Sequence, residues 1–223
     1  MARRALHVAE KPSVAKELAS ILSNGSASSH RGVSRFNPVW DFDGQLDGAP
    51  CKHLVTSVLG HLMEMEFEEG YRKWHECEIG ALFDAPIKII TRGKDDGGGV
   101  DMQEVRRNLE QAVRGCQELV LWLDCDREGE AIGFEVMEAC QQAQRNLRVR
   151  RARFSALIPR DIHHALAHLV PPDPRQSDAV LARSEIDLRL GAAFTRLQTL
   201  ALQNRFDGLG DEGPLSYGPC QFP

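Results

Sequence analysis

Acidic residues occupy alternate positions in the segment LDCDREGE, which runs from residue 123 to residue 130. They follow an apolar run, ELVLWL at residues 118–123, that is typical of a buried strand. Because side chains alternate between faces in extended backbone, Asp124 and Asp126 are expected to point the same way. Mg²⁺ is often held by one or two carboxylates together with water and substrate phosphate oxygens. The segment therefore predicts a magnesium site.

The same carboxylates could instead serve only to start a helix. From residue 128 onward the apolar residues recur with helical spacing, at Ile132, Val136, Ala139 and Cys140. Carboxylates at a helix start accept hydrogen bonds from free N–H groups and complement the helix dipole. For this segment taken by itself, metal binding and capping both remain open.

A second acidic residue follows a predicted strand near the amino terminus. Residues 5–9 (ALHVA) form a short strand pattern, Glu10 comes next, and Pro12 suits the first turn of a helix. In open α/β sheets, ligands bind at the carboxyl ends of the strands. Glu10 is therefore a candidate general acid or base, and the alternative is a capping or solvated residue.

The elements that would position these residues alternate along the chain. Strands are expected at about 5–9, 39–46, 51–58, 118–123 and 147–154, and helices at about 12–24, 101–115 and 128–143. This order predicts an α/β sheet with helices on both faces, in which Asp47-Gly48 joins two strands as a hairpin turn. Two further helices are expected, at about 158–169 and 176–205.

Composition narrows the class of protein. The 223 residues include six cysteines without a CxxC pair, which indicates neither zinc nor a disulfide framework. No apolar run is long enough for a membrane span or a secretion signal, so an intracellular protein is expected. The net charge of −5 argues weakly against nucleic acid, but an acid-free run of arginines and a second arginine set along the final helix favour it. These arginines are Arg145, Arg148, Arg150, Arg151 and Arg153, followed by Arg183, Arg189, Arg196 and Arg205.

The strand ends AEKP and DCDREGE resemble the Toprim module of type IA and type II topoisomerases, bacterial primases and certain nucleases. Several other segments are similar to the amino-terminal part of eukaryotic type IA DNA topoisomerases of the topoisomerase III group, in its alpha more than its beta form. These segments are TSVLGHLMEMEF, YRKW, RARFS, EIDLRLGAAFTRLQTL and SYGPCQFP. The resemblance implies a Toprim domain over residues 1–157, with a mainly parallel sheet flanked by helices. Residues 158–223 would begin the helical central domain that binds a DNA strand.

The resemblance also implies roles for individual residues. Glu10 would exchange a proton with the leaving 3′ oxygen, and Lys11 would stabilise charge on the scissile phosphate. Asp124 and Asp126 would hold Mg²⁺, with Glu128 as an outer or water-mediated ligand. The positions expected to contact the DNA strand are Arg183, Asp187, Ser216 and Gln221.

In such enzymes a tyrosine attacks the DNA backbone, and the break serves to relax negative supercoils and to resolve recombination intermediates in the nucleus. Tyr71 and Tyr217 both lie outside the Tyr-Pro-Arg-Thr motif that carries this nucleophile, so the present residues are not expected to cleave DNA alone. The expected partners are single-stranded DNA, RecQ-family helicases and OB-fold proteins. Two alternatives remain open, namely a Toprim-type metal-dependent nuclease and a non-catalytic module that binds DNA or proteins.

Overall fold

A computed structural model describes residues 3–93, 100–203, 205–206 and 213–218. The chain forms two compact units, the first from residues 1–63 and 91–178 and the second from residues 64–90 and 179–223. The domain boundary expected at residue 157 stays a prediction, although the helix that follows it belongs to the first unit. No helix within the described ranges is long and apolar enough to cross a membrane.

The elements follow one another in this order. The strands are β1 (Arg3–Ala9), β2 (Ser28–His30), β3 (Val39–Leu46), β4 (Ala49–Ser57), β5 (Met63–Phe67), β6 (Ile87–Thr91), β7 (Glu118–Trp122) and β8 (Arg148–Arg151). The α-helices are α1 (Pro12–Leu22), α2 (Met102–Ala112), α3 (Arg127–Ala143), α4 (Pro159–Ala167) and α5 (Pro174–Leu202), and a 3-10 helix spans Ile79–Phe83.

Six strands of the first unit form one sheet in the order β2-β3-β4-β1-β7-β8. The neighbouring strands β4, β1, β7 and β8 run parallel to one another. By contrast, β3 is antiparallel to β4, and β2 is antiparallel to β3. This confirms the predicted α/β fold with a mainly parallel sheet. Ala9 at the end of β1 lies between Ser57 of β4 and Trp122 of β7, so these three strands end level with one another.

Helices cover both faces of this sheet, as the alternating pattern predicted. On one face, α2 and α3 pack against residues such as Leu6 and Leu121, which are fully buried. On the other face, α1 and α4 pack against the alternate residues of the same strands, including Val120 and Trp122. Every residue of β7 is buried, because helices enclose the strand from both sides.

The hairpin between β3 and β4 turns at Asp47 and Gly48, as predicted. Their φ angles are +53° and +73°, the left-handed pair that a two-residue turn requires and that Asp-Gly adopts readily. The Asp47 carboxylate accepts two hydrogen bonds of 2.9 Å from Arg150, and this guanidinium lowers the pKa of Asp47 to about 2. Arg150 also donates to the buried Glu118. Arg150 is thus a structural ion-pair residue, which corrects its assignment to a DNA-binding arginine cluster.

A buried hydrogen-bond chain links the three central strands. Trp122 Nε1–H donates to His7 Nδ1 at 2.9 Å, so neutral His7 carries its proton on Nε2 and donates to His53 Nδ1 at 2.8 Å. Burial lowers the pKa of His7 well below its usual value and also lowers the pKa of His53. Both rings are therefore neutral in the folded chain near neutral pH.

The lowered pKa values of His7 and His53 predict sensitivity to acid. The unfolded chain takes up protons on both rings below about pH 6.5, whereas the folded chain resists this, so stability is present above that pH and falls below it. The free energy of unfolding should drop by about 1–3 kcal/mol between pH 7.5 and 5.5. His7→Gln should be less stable at pH 7.5 but show a smaller drop. Urea unfolding at both pH values measures this, with exposed His163→Gln as the control. Equal drops in wild type and His7→Gln would contradict the assignment.

The second unit contains the two-stranded sheet of β5 and β6, the 3-10 helix and α5 from residue 179 onward. A small core there includes Phe67, Leu82 and Ala193. Two arginines of α5 donate to backbone carbonyls of the same unit: Arg189 to Leu82 and Ala85, and Arg196 to Tyr71, Arg72 and Lys73. These arginines have structural contacts, which corrects their grouping with DNA-binding residues.

Candidate active site

The ends of β1 and β7 bring two acidic segments into contact. Because Ala9 pairs with Trp122, Glu10 and Asp124 follow neighbouring strand ends. The backbone N–H of Asp124 donates to Glu10 Oε2 at 3.1 Å. The Glu10 side chain is 14% exposed, so it is held in place while remaining open to solvent on one side. The geometry suits a carboxyl group that exchanges a proton with a bound substrate.

Lys11 lies beside this carboxylate. Its Nζ is 3.8 Å from Glu10 Oε1, and the side chain is 61% exposed. An ion pair of that length and exposure contributes little to stability. The ammonium group is therefore free to turn toward an anionic ligand at the same strand end.

Asp126 caps helix α3, as the alternative interpretation predicted, but only one of its two carboxylate oxygens takes part. It is the N-cap residue of α3, and its Oδ1 accepts a hydrogen bond of 2.8 Å from the backbone N–H of Gly129. The Asp124 carboxylate accepts no hydrogen bond from any residue that the structure describes, and both aspartates are exposed. Asp124 thus keeps its full ligating capacity, while Asp126 keeps one oxygen.

Gly129 allows α3 to start directly against the end of β7. A Cβ atom at this position would lie 2.0 Å from the carbonyl oxygen of Asp124, which is far inside van der Waals contact. Glycine is therefore the residue that fits between the helix start and the strand end. The glycine of the DREGE segment is a packing requirement of the acidic turn.

Glu128 belongs to a second group of contacts that includes His61, a residue missed by the sequence prediction. His61 Nε2 lies 3.2 Å from Glu128 Oε2, and His61 Nδ1 lies 2.6 Å from Glu135 Oε1. The Glu135 carboxylate raises the pKa of His61 and also accepts the backbone N–H groups of Leu62 and Met63. The segment GHL is thereby fixed next to the acidic turn. An isolated Gly-His pair in a loop gave no signal of this contact.

Arg151 is buried behind the acidic turn. It donates to Glu130 Oε1 at 3.2 Å and to the backbone carbonyls of Leu123 and Asp124. Glu130 is also buried, and it forms an ion pair with Arg151. Together these two side chains hold the end of β7 in place. Arg151, like Arg150, is not part of a solvent-facing arginine cluster.

The donor groups at this strand end fit a hydrated magnesium ion. Within the described ranges, no group of three or more His, Cys, Asp and Glu side chains is arranged to hold a metal ion. Mg²⁺ does not require such a cage, because it keeps several waters and is usually bound by one or two carboxylates plus phosphate oxygens. The free carboxylate of Asp124 and the second oxygen of Asp126 meet that requirement.

The residues expected to contact DNA lie in the second unit or outside the described residues. Arg183 and Asp187 are one turn apart on α5, with Nε and Oδ2 3.6 Å apart. Ser216 is exposed, and Gln221 lies outside the described residues. Tyr217 contacts the ring of Phe194, and Tyr71 packs in the small core of its unit.

Comparison with known proteins agrees with this arrangement. The Toprim domain family matches residues 5–157, and the chain belongs to this family. Toprim domains bind divalent metal ions. The chain is 51% identical over 223 residues to DNA topoisomerase 3-alpha of Arabidopsis thaliana and 45% identical over 221 residues to DNA topoisomerase 3-alpha of Homo sapiens, which are eukaryotic type IA enzymes.

These matches cover 98% and 99% of this chain but 23% and 21% of the relatives, so the chain spans about a fifth of their length. Among solved structures, full-length topoisomerase I of Thermotoga maritima matches with a TM-score of 0.50 and 21% identity. That match covers 85% of this chain and 25% of the bacterial protein, and it supports the fold.

Proposed function

We propose that this chain is the Toprim-bearing, amino-terminal part of a type IA DNA topoisomerase. Such an enzyme passes DNA strands through a transient single-strand break, relaxes negative supercoils and resolves recombination intermediates in the nucleus. The observation that carries the proposal is the contact between Glu10 and the Asp124 backbone, which joins the two acidic segments at one sheet edge. The similarity of almost the whole chain to DNA topoisomerase 3-alpha supports it.

Glu10 is the proton donor and acceptor in this proposal. When the bond between phosphorus and the 3′ oxygen breaks, the Glu10 carboxyl group gives its proton to that oxygen, and in religation the carboxylate takes the proton back. The attacking tyrosine comes from outside the present residues, because Tyr71 and Tyr217 do not match the nucleophile motif. The chain therefore contributes half of a composite site and does not cleave DNA alone.

Asp124 and Asp126 hold Mg²⁺, with Glu128 as an outer ligand that His61 positions. When bound, Mg²⁺ would supply positive charge against the DNA phosphate. Lys11 adds a positive charge beside Glu10. Arg183, Asp187, Ser216 and Gln221 contact the single-stranded DNA, and RecQ-family helicases and OB-fold proteins are the proposed protein partners.

A chimeric enzyme tests the function. This chain replaces the matching segment of Arabidopsis thaliana DNA topoisomerase 3-alpha, and relaxation of a negatively supercoiled plasmid is measured with Mg²⁺ present. We expect relaxed plasmid and, after denaturation, DNA covalently attached to protein through its 5′ end. Nicked DNA with free 5′ ends from the chain alone would instead support a Toprim nuclease. A folded chimera without either product would contradict the proposal.

The isolated chain should bind Mg²⁺ weakly. Two carboxylates without DNA phosphate supply an incomplete coordination shell, so we expect a dissociation constant on the order of millimolar. Asp124→Asn combined with Asp126→Asn should abolish binding in a calorimetric titration. Asp43→Asn, an exposed change on β3, is the matched control and should bind as wild type does. Submicromolar binding that survives the double change would place the metal elsewhere.

A further inference from the structure

A cleft of about 500 Å³ opens between the segment that follows β8 and helix α4. Its lining residues all belong to the first unit: Cys125, Arg153, Phe154, Ser155, Arg160, Asp161 and His164. None of them has a role in the proposed proton transfer or in magnesium binding. The cleft is therefore a separate feature of the surface.

The cleft adjoins the acidic turn. Cys125, which lines it, is the residue between Asp124 and Asp126, and its thiol donates to the carbonyl oxygen of Phe154 at 3.3 Å. Arg153 and Ser155 follow the carboxyl end of β8, the strand next to β7 in the parallel sheet. A ligand that extends from the Asp124 site over β8 would enter this cleft.

The charges in the cleft favour an anion. Within the described part of the chain, Arg153 has neither a hydrogen bond nor an ion pair, and it is exposed. The Arg160 side chain is 86% exposed, and its Nε donates to Asp161 Oδ1 at 3.1 Å. Asp161 also accepts a hydrogen bond from Ser155 Oγ. Two guanidinium groups and one carboxylate thus line the cleft, and the terminal nitrogens of both arginines remain available.

Arg153 differs in burial and pairing from Arg150 and Arg151, the two arginines that precede it in the same run. Arg150 and Arg151 are buried and paired with Asp47, Glu118 and Glu130. Arg153, two residues later, is exposed beside the active-site turn. The guanidinium fork suits phosphate oxygens geometrically as well as electrostatically. At its carboxyl end the run therefore contains two structural arginines, Arg150 and Arg151, and then Arg153, which is available for a ligand.

We propose that this cleft binds a backbone phosphate of the DNA strand, adjacent to the phosphate at the Asp124 site, through Arg153 and Arg160. The proposal rests on the proposed function and adds a phosphate-binding position to it. A continuous strand is favoured over a free anion because the cleft begins at the residue between the two aspartates, so one ligand can occupy both places.

Binding of a fluorescein-labelled oligothymidylate to the chain tests the proposal. Fluorescence anisotropy is measured with Mg²⁺ at several chloride concentrations for wild type, Arg153→Gln with Arg160→Gln, and Arg145→Gln. Arg145 is the matched control, because it is exposed, belongs to the same run and precedes the amino end of β8. Losing one phosphate contact should lower the slope of log K against log salt by about 0.7 and weaken binding about fivefold at 0.1 M salt.

The outcomes separate the two proposals. A lower slope and weaker binding in the double variant, with Arg145→Gln unchanged and equal thermal midpoints, support the cleft. Equal binding by wild type and double variant overturns the cleft alone, whereas wild type that binds no oligonucleotide overturns the proposed function as well. Replacing chloride by phosphate at equal ionic strength should leave DNA binding unchanged. If phosphate weakens DNA binding by the wild type but not by the double variant, the cleft binds the free anion and the proposal is overturned.

Discussion

Glu10→Gln in the chimeric topoisomerase should lower plasmid relaxation by about 100-fold or more. Glutamine can still accept the hydrogen bond that the Asp124 backbone N–H donates to Glu10, so the sheet edge keeps its geometry. It cannot give a proton to the 3′ oxygen. The change therefore separates proton transfer from structure, and relaxation rate, DNA affinity and thermal midpoint measured on one preparation should show a loss in the rate alone.

Glu17→Gln is the control for Glu10→Gln. Glu17 is an exposed residue of α1, so the substitution removes the same charge from the helix that follows Glu10. We expect its relaxation rate to equal that of the wild type. A Glu10→Gln enzyme with a lowered thermal midpoint and normal relaxation would assign Glu10 a purely structural role.

Arg151→Met should destabilise the chain by about 3–5 kcal/mol, because it leaves the Glu130 carboxylate buried without its partner. The substitution also removes the donor to the carbonyl oxygens of Leu123 and Asp124. Urea unfolding followed by circular dichroism measures the change. Loss of folding at room temperature would be the extreme form of the same result.

Two further variants test the cause of this loss. Arg151→Met combined with Glu130→Leu removes both charges and should recover part of the lost stability, because no buried charge remains. Arg148→Met, an exposed change on the same strand, should stay within about 0.5 kcal/mol of wild type. A double variant with the same stability as Arg151→Met would show that the carbonyl contacts, rather than the ion pair, dominate.

Strand and helix order in the first unit could be predicted because each element carries a strong local pattern. The uniform apolar run of β7, the proline at the start of α1 and the Asp47-Gly48 turn all specify local structure directly. The strands β2, β5 and β6 were missed. They have three to five residues each, and their pairing depends on contacts between distant segments.

Of the candidate site, the prediction located the two acidic segments but not what supports them. Asp124 and Glu10 could be found because both directly follow strand patterns. His61, Glu135 and Arg151 could not be assigned, because their contacts join residues that lie 21 to 74 positions apart in the sequence. The arginine run misled for a related reason: charge composition does not reveal that Arg150 and Arg151 are both buried and paired with distant carboxylates.

The main-chain contacts of Asp124 uncouple metal loading from folding. Its N–H is held by Glu10, its carbonyl oxygen by Arg151, and Gly129 packs against that oxygen, so protein groups fix the backbone at this residue. Many small metal sites order their backbone only when the ion arrives, and their affinity is reduced by that ordering. In the proposed enzyme the ion would therefore leave and return with each DNA substrate while the turn that receives it stays assembled.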